Sequence, residues 1–168
     1  MALSLYQASV PVFQQFLGSL RAELAKAEAH AAAHKIDPAV LLQARLYPNM
    51  FPLLRQVQIA GDFAKGAPAR LAGLEPPKYE DDETSFADLY ARIDRTSAFL
   101  KTLKAAQIDG QEERTIELKV GGQPMSFKGQ PYLLQFALPN FFFHATTAYA
   151  ILRHNGVELG KRDFMGQM

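Results

Sequence analysis

Phe141-Phe142-Phe143-His144-Ala145-Thr146-Thr147-Ala148-Tyr149 is the stretch on which the reading of this chain turns. It is strongly apolar and belongs to a helical pattern that runs from Asn140 to His154 and stops at Asn155-Gly156. Helical residues four apart share a face, and His144 is followed one turn later by Ala148. Histidine at both places would supply half of a metal site, and His followed by Ala leaves that half incomplete. Three consecutive phenylalanines point around much of the helix, so at least one faces something other than a central core: a hairpin, a ligand pocket or a partner subunit.

The helices that would pack against this one lie upstream. From Ser9 to His34 the apolar residues Val10, Phe13, Leu17, Leu20, Leu24, Ala27 and Ala31 recur at spacings of three and four, with Pro11 suited to a first turn. Asp37-Pro38 opens a short helix to about Leu46. Tyr47-Pro48-Asn49 breaks it, Asn49 caps a second long helix, and Gly73 ends that helix before Glu75-Pro76-Pro77. The acidic run Glu80 to Glu83 leads through Thr84-Ser85 into a third, with Phe86, Leu89, Ile93, Leu100 and Leu103 on one face. The period then changes to two. Ile116, Leu118 and Val120, the Gly121-Gly122 turn, and Met125 with Phe127 predict one β-hairpin. Gln130 to Leu138 predicts helix again, kinked or broken from the Asn140 segment at Pro139. The architecture expected is mainly all-α: one domain over residues 1–168, a four-helix bundle with a small hairpin between its third and fourth helices.

Composition narrows the function classes. Eighteen basic against seventeen acidic residues give a net charge of +1, so electrostatics gives no reason to expect nucleic acid or an anionic membrane surface. There is no cysteine, which removes disulfides, thiolate ligands and a cysteine nucleophile and fits a reducing compartment. Met1 to Gln7 shows no leader pattern, and no apolar run reaches membrane-spanning length. A cytoplasmic protein is expected. Phosphate-loop, Rossmann, nucleophile-elbow and zinc-protease motifs are all missing.

Several strings then resemble a known family. Ala44-Arg45-Leu46-Tyr47-Pro48-Asn49-Met50-Phe51-Pro52-Leu53, Arg55-Gln56-Val57-Gln58-Ile59-Ala60, Phe136-Ala137-Leu138-Pro139-Asn140-Phe141-Phe142-Phe143-His144 and Ile151-Leu152-Arg153-His154-Asn155-Gly156 resemble the DUF1993 family. That family is similar to the DinB/YfiT-like superfamily of four-helix bundles, and the resemblance implies that fold. It also implies a comparison of sites. Many DinB-like proteins hold a divalent metal on three histidines, one near the start of the second helix and an H-x-x-x-H pair in the fourth. Some are thiol-dependent transferases or hydrolases. Here His144 matches the first member of the pair, Ala148 stands at the second, and Asn49 to Asp62 contains no histidine.

The ligand-binding candidates are His144, Tyr149, Gln58, Tyr47 and Arg55, with His144 as the candidate acid or base. A lone core-edge imidazole is more often held by a carbonyl or a side chain such as Gln58 than by a metal. Arg55, Gln58 and Asp62 form a polar stripe expected to be a solvated face or to pair at the bundle edge, with Asp62 accepting from Gln58. Tyr47 and Tyr149 offer hydroxyls to a pocket, or pack as core with one satisfied tip. No metal or cofactor is expected. The alternative is a displaced site on His30, His34 and His144, serving a metal- or thiol-dependent transferase or hydrolase. His30 and His34 have ligand spacing, but a solvated alanine-rich helix end explains them as well. The expected role is binding of a small apolar ligand or of a partner, a second copy of the chain in a homodimer above all.

Overall fold

The computed structural model describes residues 4–166. Met1 to Leu3, where the leader pattern was sought, lie outside the described residues, as do Gln167 and Met168. Helix α1 (Val10–His34) forms as its stripe predicts, with Phe13, Leu17, Leu24, Ala27 and Ala31 fully buried. It ends where Lys35 turns left-handed at φ 55° and its N–H reaches back to the Ala31 and Ala32 carbonyls. In α2 (Pro38–Gln43) the Asp37 side chain accepts from the Ala39 N–H at 2.9 Å, the cap its sequence foretells.

Helix α3 (Leu53–Leu71) starts later than the Asn49 cap predicts. Pro52 biases Phe51 away from helical backbone, and residues 47–50 close as a turn, the Met50 N–H donating to the Tyr47 carbonyl at 2.9 Å. Gly73, at φ 73°, ends the helix as expected, and the Leu74 N–H returns to the Ala69 carbonyl. Helix α4 (Phe86–Thr102) opens on a capping box: Ser85 Oγ accepts from the Asp88 N–H, and the Asp88 carboxylate accepts from the Ser85 N–H. A single turn, α5 (Ala105–Ile108), follows.

Strands β1 (Thr115–Val120) and β2 (Gln123–Lys128) pair antiparallel, Thr115 opposite Lys128 and Val120 opposite Gln123. Gly121 and Gly122, at φ 55° and 82°, make the turn with the positive angles that glycine accepts most readily. A short turn, α6 (Gly129–Pro131), leads to the last long helix. Of the kink or break expected at Pro139, the break does not occur. The chain is π-helical over Tyr132–Ala137 and passes directly into α7 (Leu138–His154). Pro139 brings no N–H for the Gln135 carbonyl, and the wider π turn before it accommodates the missing bond while the helix continues. A five-residue helix, α8 (Lys161–Met165), folds back on α1.

The four long helices pack on one another, α3 on α7 and α4, and α1 on α3, α4 and α7. Their inward residues form one core, including an edge-on contact of Phe13 with Phe141 at 4.9 Å between ring centres. No helix among the described residues is long and apolar enough to cross a membrane.

Candidate functional site

Packing of α7 on α3 sets His144 beside Gln56. His144 Nδ1 lies 2.7 Å from Gln56 Oε1. The Gln56 amide has no freedom to flip, because its Nε2 donates to the Phe51 carbonyl at 3.0 Å. An amide oxygen only accepts, so Nδ1 carries the imidazole proton and Nε2 holds a lone pair. The ring lies nearly parallel to Phe63, at 15° and 6.2 Å, and edge-on to Phe143. Burial, and secondarily the charge of Arg55, holds the imidazole below the ordinary histidine range. A neutral ring results, with one basic nitrogen that has no hydrogen-bond partner among the described residues.

Polar residues of α3, α4 and the loop before α4 form an ionic network around a buried arginine. Arg92 is 1% exposed. Its Nη1 donates to Glu83 Oε1 at 2.9 Å, and its Nη2 reaches Asp62 at 2.8 Å and Asp81 at 3.1 Å. Gln58 Nε2 donates to Glu83 Oε2 at 2.7 Å, while Gln58 Oε1 accepts from Arg55, which also pairs with Asp81. Lys65 closes on Asp62 at 2.8 Å, and the Tyr79 ring carries Arg95, Lys65 and Arg92 on its face. Burial works against the Arg92 charge, but the hydrogen bond to Glu83 and the charges of Asp62, Glu83 and Asp81 outweigh it and raise its pKa. These charges neutralise one another. The network ties the 79–83 segment to both helices.

A cleft of about 550 Å³ opens between α3, the hairpin and the π-helical segment. Phe51, Ile59, Phe63, Leu118, Val120 and Phe136 give it apolar walls, and Arg55, Asp62, Arg70, Lys119 and Tyr132 its polar groups. Phe136 packs against Phe63 at 5.8 Å and against Phe127 at 5.0 Å, so the aromatic wall runs from the hairpin to the ring that covers His144. Tyr132 and Phe136 both come from the π turn, which is the kind of local distortion that concentrates at functional sites.

The structure distributes the sequence candidates unevenly. Arg55 lines the cleft and His144 stands behind its Phe63 wall. Gln58 is not the partner of His144; Gln56 is, and Gln58 is buried in the ionic network. The stripe is paired: Gln58 is buried, Arg55 and Asp62 are half-buried, and Asp62 accepts from Arg92 and Lys65 rather than from Gln58. Tyr149 packs on Phe164 of α8, away from the cleft lining, and Tyr47 is exposed in the α2–α3 turn. Sequence reading passed over Arg70, Arg92 and Tyr132. Arg92 carried a signal: it follows Leu89 by three and precedes Ile93, which places a charge on a core-facing helical stripe.

The residues do not fit the divalent metal that the resemblance to DinB-like proteins implies. His30 and His34 stack on each other at 4.2 Å, and His30 abuts Gly156, just past the end of α7. His144 lies ten residues before His154, about 15 Å along the helix axis. The displaced set of His30, His34 and His144 is thus not brought together. Among the described residues no group of three or more His, Cys, Asp or Glu side chains is arranged to hold a metal ion.

Comparison with known proteins bears on the family and the fold. The crystal structure of a DinB family member protein from Shewanella denitrificans superposes with a TM-score of 0.89 at 42% sequence identity, covering 98% of this chain and 93% of that one. No curated protein matches. The family model described as a domain of unknown function, DUF1993, matches residues 5–165. The chain belongs to the DUF1993 family and has the fold of a DinB family member.

Proposed function

We propose that this protein binds a small molecule in the cleft between α3, the hairpin and the π-helical segment. One observation carries the reading: an aromatic wall and a set of polar side chains converge on a single concavity beside a neutral, half-buried histidine. Its volume, about 550 Å³, lies within the range of small-molecule sites. The three-histidine chemistry of DinB-like proteins is not part of this proposal, because the donors it needs are not assembled. The absence of cysteine supports a cytoplasmic setting.

An NMR screen of a fragment mixture against the 15N-labelled protein tests this. Shift changes should cluster at Ile59, Phe63, Leu118 to Val120 and Phe136. Fragments that perturb only other surfaces, or none that perturb any, contradict the reading. A second reading, a homodimer, draws on Phe143 at 57% and Phe51 at 54% exposure, both adjoining the His144–Gln56 pair. Sedimentation equilibrium decides it, since a monomer at all concentrations removes that reading and leaves the cleft.

A further inference from the structure

Resting on the reading of the cleft as a ligand site, we propose that its ligand is a monocarboxylate with a flat apolar body. The carboxylate is held by Arg70 and Tyr132, and the body lies against Ile59, Phe63 and Phe136. Four charged side chains line this cleft, and two are already neutralised. Arg55 is paired with Asp81, and Asp62 accepts from Arg92 and Lys65. Arg70 and Lys119 are not neutralised: among the described residues neither has a carboxylate within ion-pair distance. The surplus charge of the cleft is positive.

Tyr132 makes this more than a surface cation. It is 1% exposed, and its hydroxyl accepts from Arg70 Nη1 at 3.2 Å. A phenol has one proton to donate, and among the described residues that proton has no acceptor. The remaining N–H groups of a planar guanidinium suit the two oxygens of a carboxylate. An anion seated there would receive both donors and neutralise a half-buried charge whose incomplete solvation is unfavourable. An uncharged ligand of the same shape would leave that charge as it is. Arg70 takes this position because residue 66 is glycine: a Cβ at Gly66 would come within 2.5 Å of Arg70 Nη1. Only the end of a flexible side chain would have to move. Gly66→Ala therefore displaces the guanidinium while helix propensity favours the folded chain.

Calorimetric titration of the full chain with 1-naphthoate and with its uncharged analogue 1-naphthalenemethanol tests the proposal. The acid should bind about tenfold or more tighter than the alcohol, the range expected of a charge-assisted hydrogen bond. That preference should disappear in Arg70→Gln and fall in Gly66→Ala, with unfolding midpoints of both variants at or above nine-tenths of the parent urea value as the check on folding. Equal affinity for acid and alcohol would overturn the carboxylate inference and leave the cleft reading standing. A preference for the acid that survives both substitutions would overturn the assignment to Arg70. No binding of either compound would remove the cleft reading together with the inference.

Discussion

Arg92 and Glu83 meet through two hydrogen bonds, from Arg92 Nη1 to Glu83 Oε1 at 2.9 Å and to Oε2 at 3.2 Å, with both side chains buried. The pair joins the acidic loop before α4 to the middle of that helix, and Gln58 and Asp62 extend it to α3.

Arg92→Met should destabilise the protein by about 3–5 kcal/mol, because Glu83 would stay buried without its cation. Removing both charges, in Arg92→Met with Glu83→Leu, should restore a large part of that loss. Urea unfolding measures both, and a single-variant loss below about 1 kcal/mol would show that the pair is solvated in solution.

His144 should titrate below the ordinary histidine range, since its burial and Arg55 both disfavour the imidazolium. The unfolded chain then binds more protons than the folded one between the ordinary value and the lower folded one, so the His144 contribution to stability is present above the ordinary histidine value and is lost as pH falls through the folded value. Ring 15N shifts should show protonated Nδ1 and unprotonated Nε2 at pH 7. A Gln56→Glu substitution should raise the histidine pKa, and an unmoved titration would contradict the Gln56 contact.

Glu23 shows the opposite sign. It is buried on α1 with Oε1 unpartnered among the described residues, and burial, with Asp163 adding repulsion against the opposing effect of Lys26, pushes its carboxyl up to about 8. Between the ordinary carboxyl range and that value the folded chain holds the extra proton, so its stability contribution falls as pH rises. Glu23→Gln should stabilise the fold by on the order of a few kcal/mol at pH 8 and hardly at all at pH 4. Equal effects at both values would show that the Glu23 carboxyl titrates alike in the folded and unfolded chains.

The long elements were legible because each buries a stripe of regular period. Val10 to Ala31 predicted α1, and the alternation around Gly121-Gly122 predicted the hairpin. The start of α3 was misplaced because Asn49 is a good cap in isolation, whereas Pro52 determines where helical backbone begins. Pro139 read as a kink or a break because a lone chain has no neighbours, and packing on α3 holds the helix through it. Helix α8 is too short for a period to register. At the site, His144 was visible but its partner was not. Gln56 and Gln58 are two residues apart on α3, roughly 200° around the helix, so an error in which face meets α7 exchanges them. The cleft was invisible because Arg70, Lys119 and Tyr132 come from three elements that only the fold brings together.

Zinc or nickel added to untagged, chelator-treated protein should leave its thermal midpoint unchanged, since the donors do not converge. Stoichiometric metal by elemental analysis, with a raised midpoint on its return, would contradict the placement of His30, His34 and His144.

Ile59 lines the cleft and is half-buried, so Ile59→Trp would fill the space with little disturbance of the core behind it. Calorimetric titration of that variant with 1-naphthoate is the most direct measurement of whether the cleft is the binding site. Cooperative unfolding should be retained and binding weakened at least about tenfold, as expected when an apolar subsite is occluded. Undiminished affinity in the folded variant would place binding elsewhere and contradict the account.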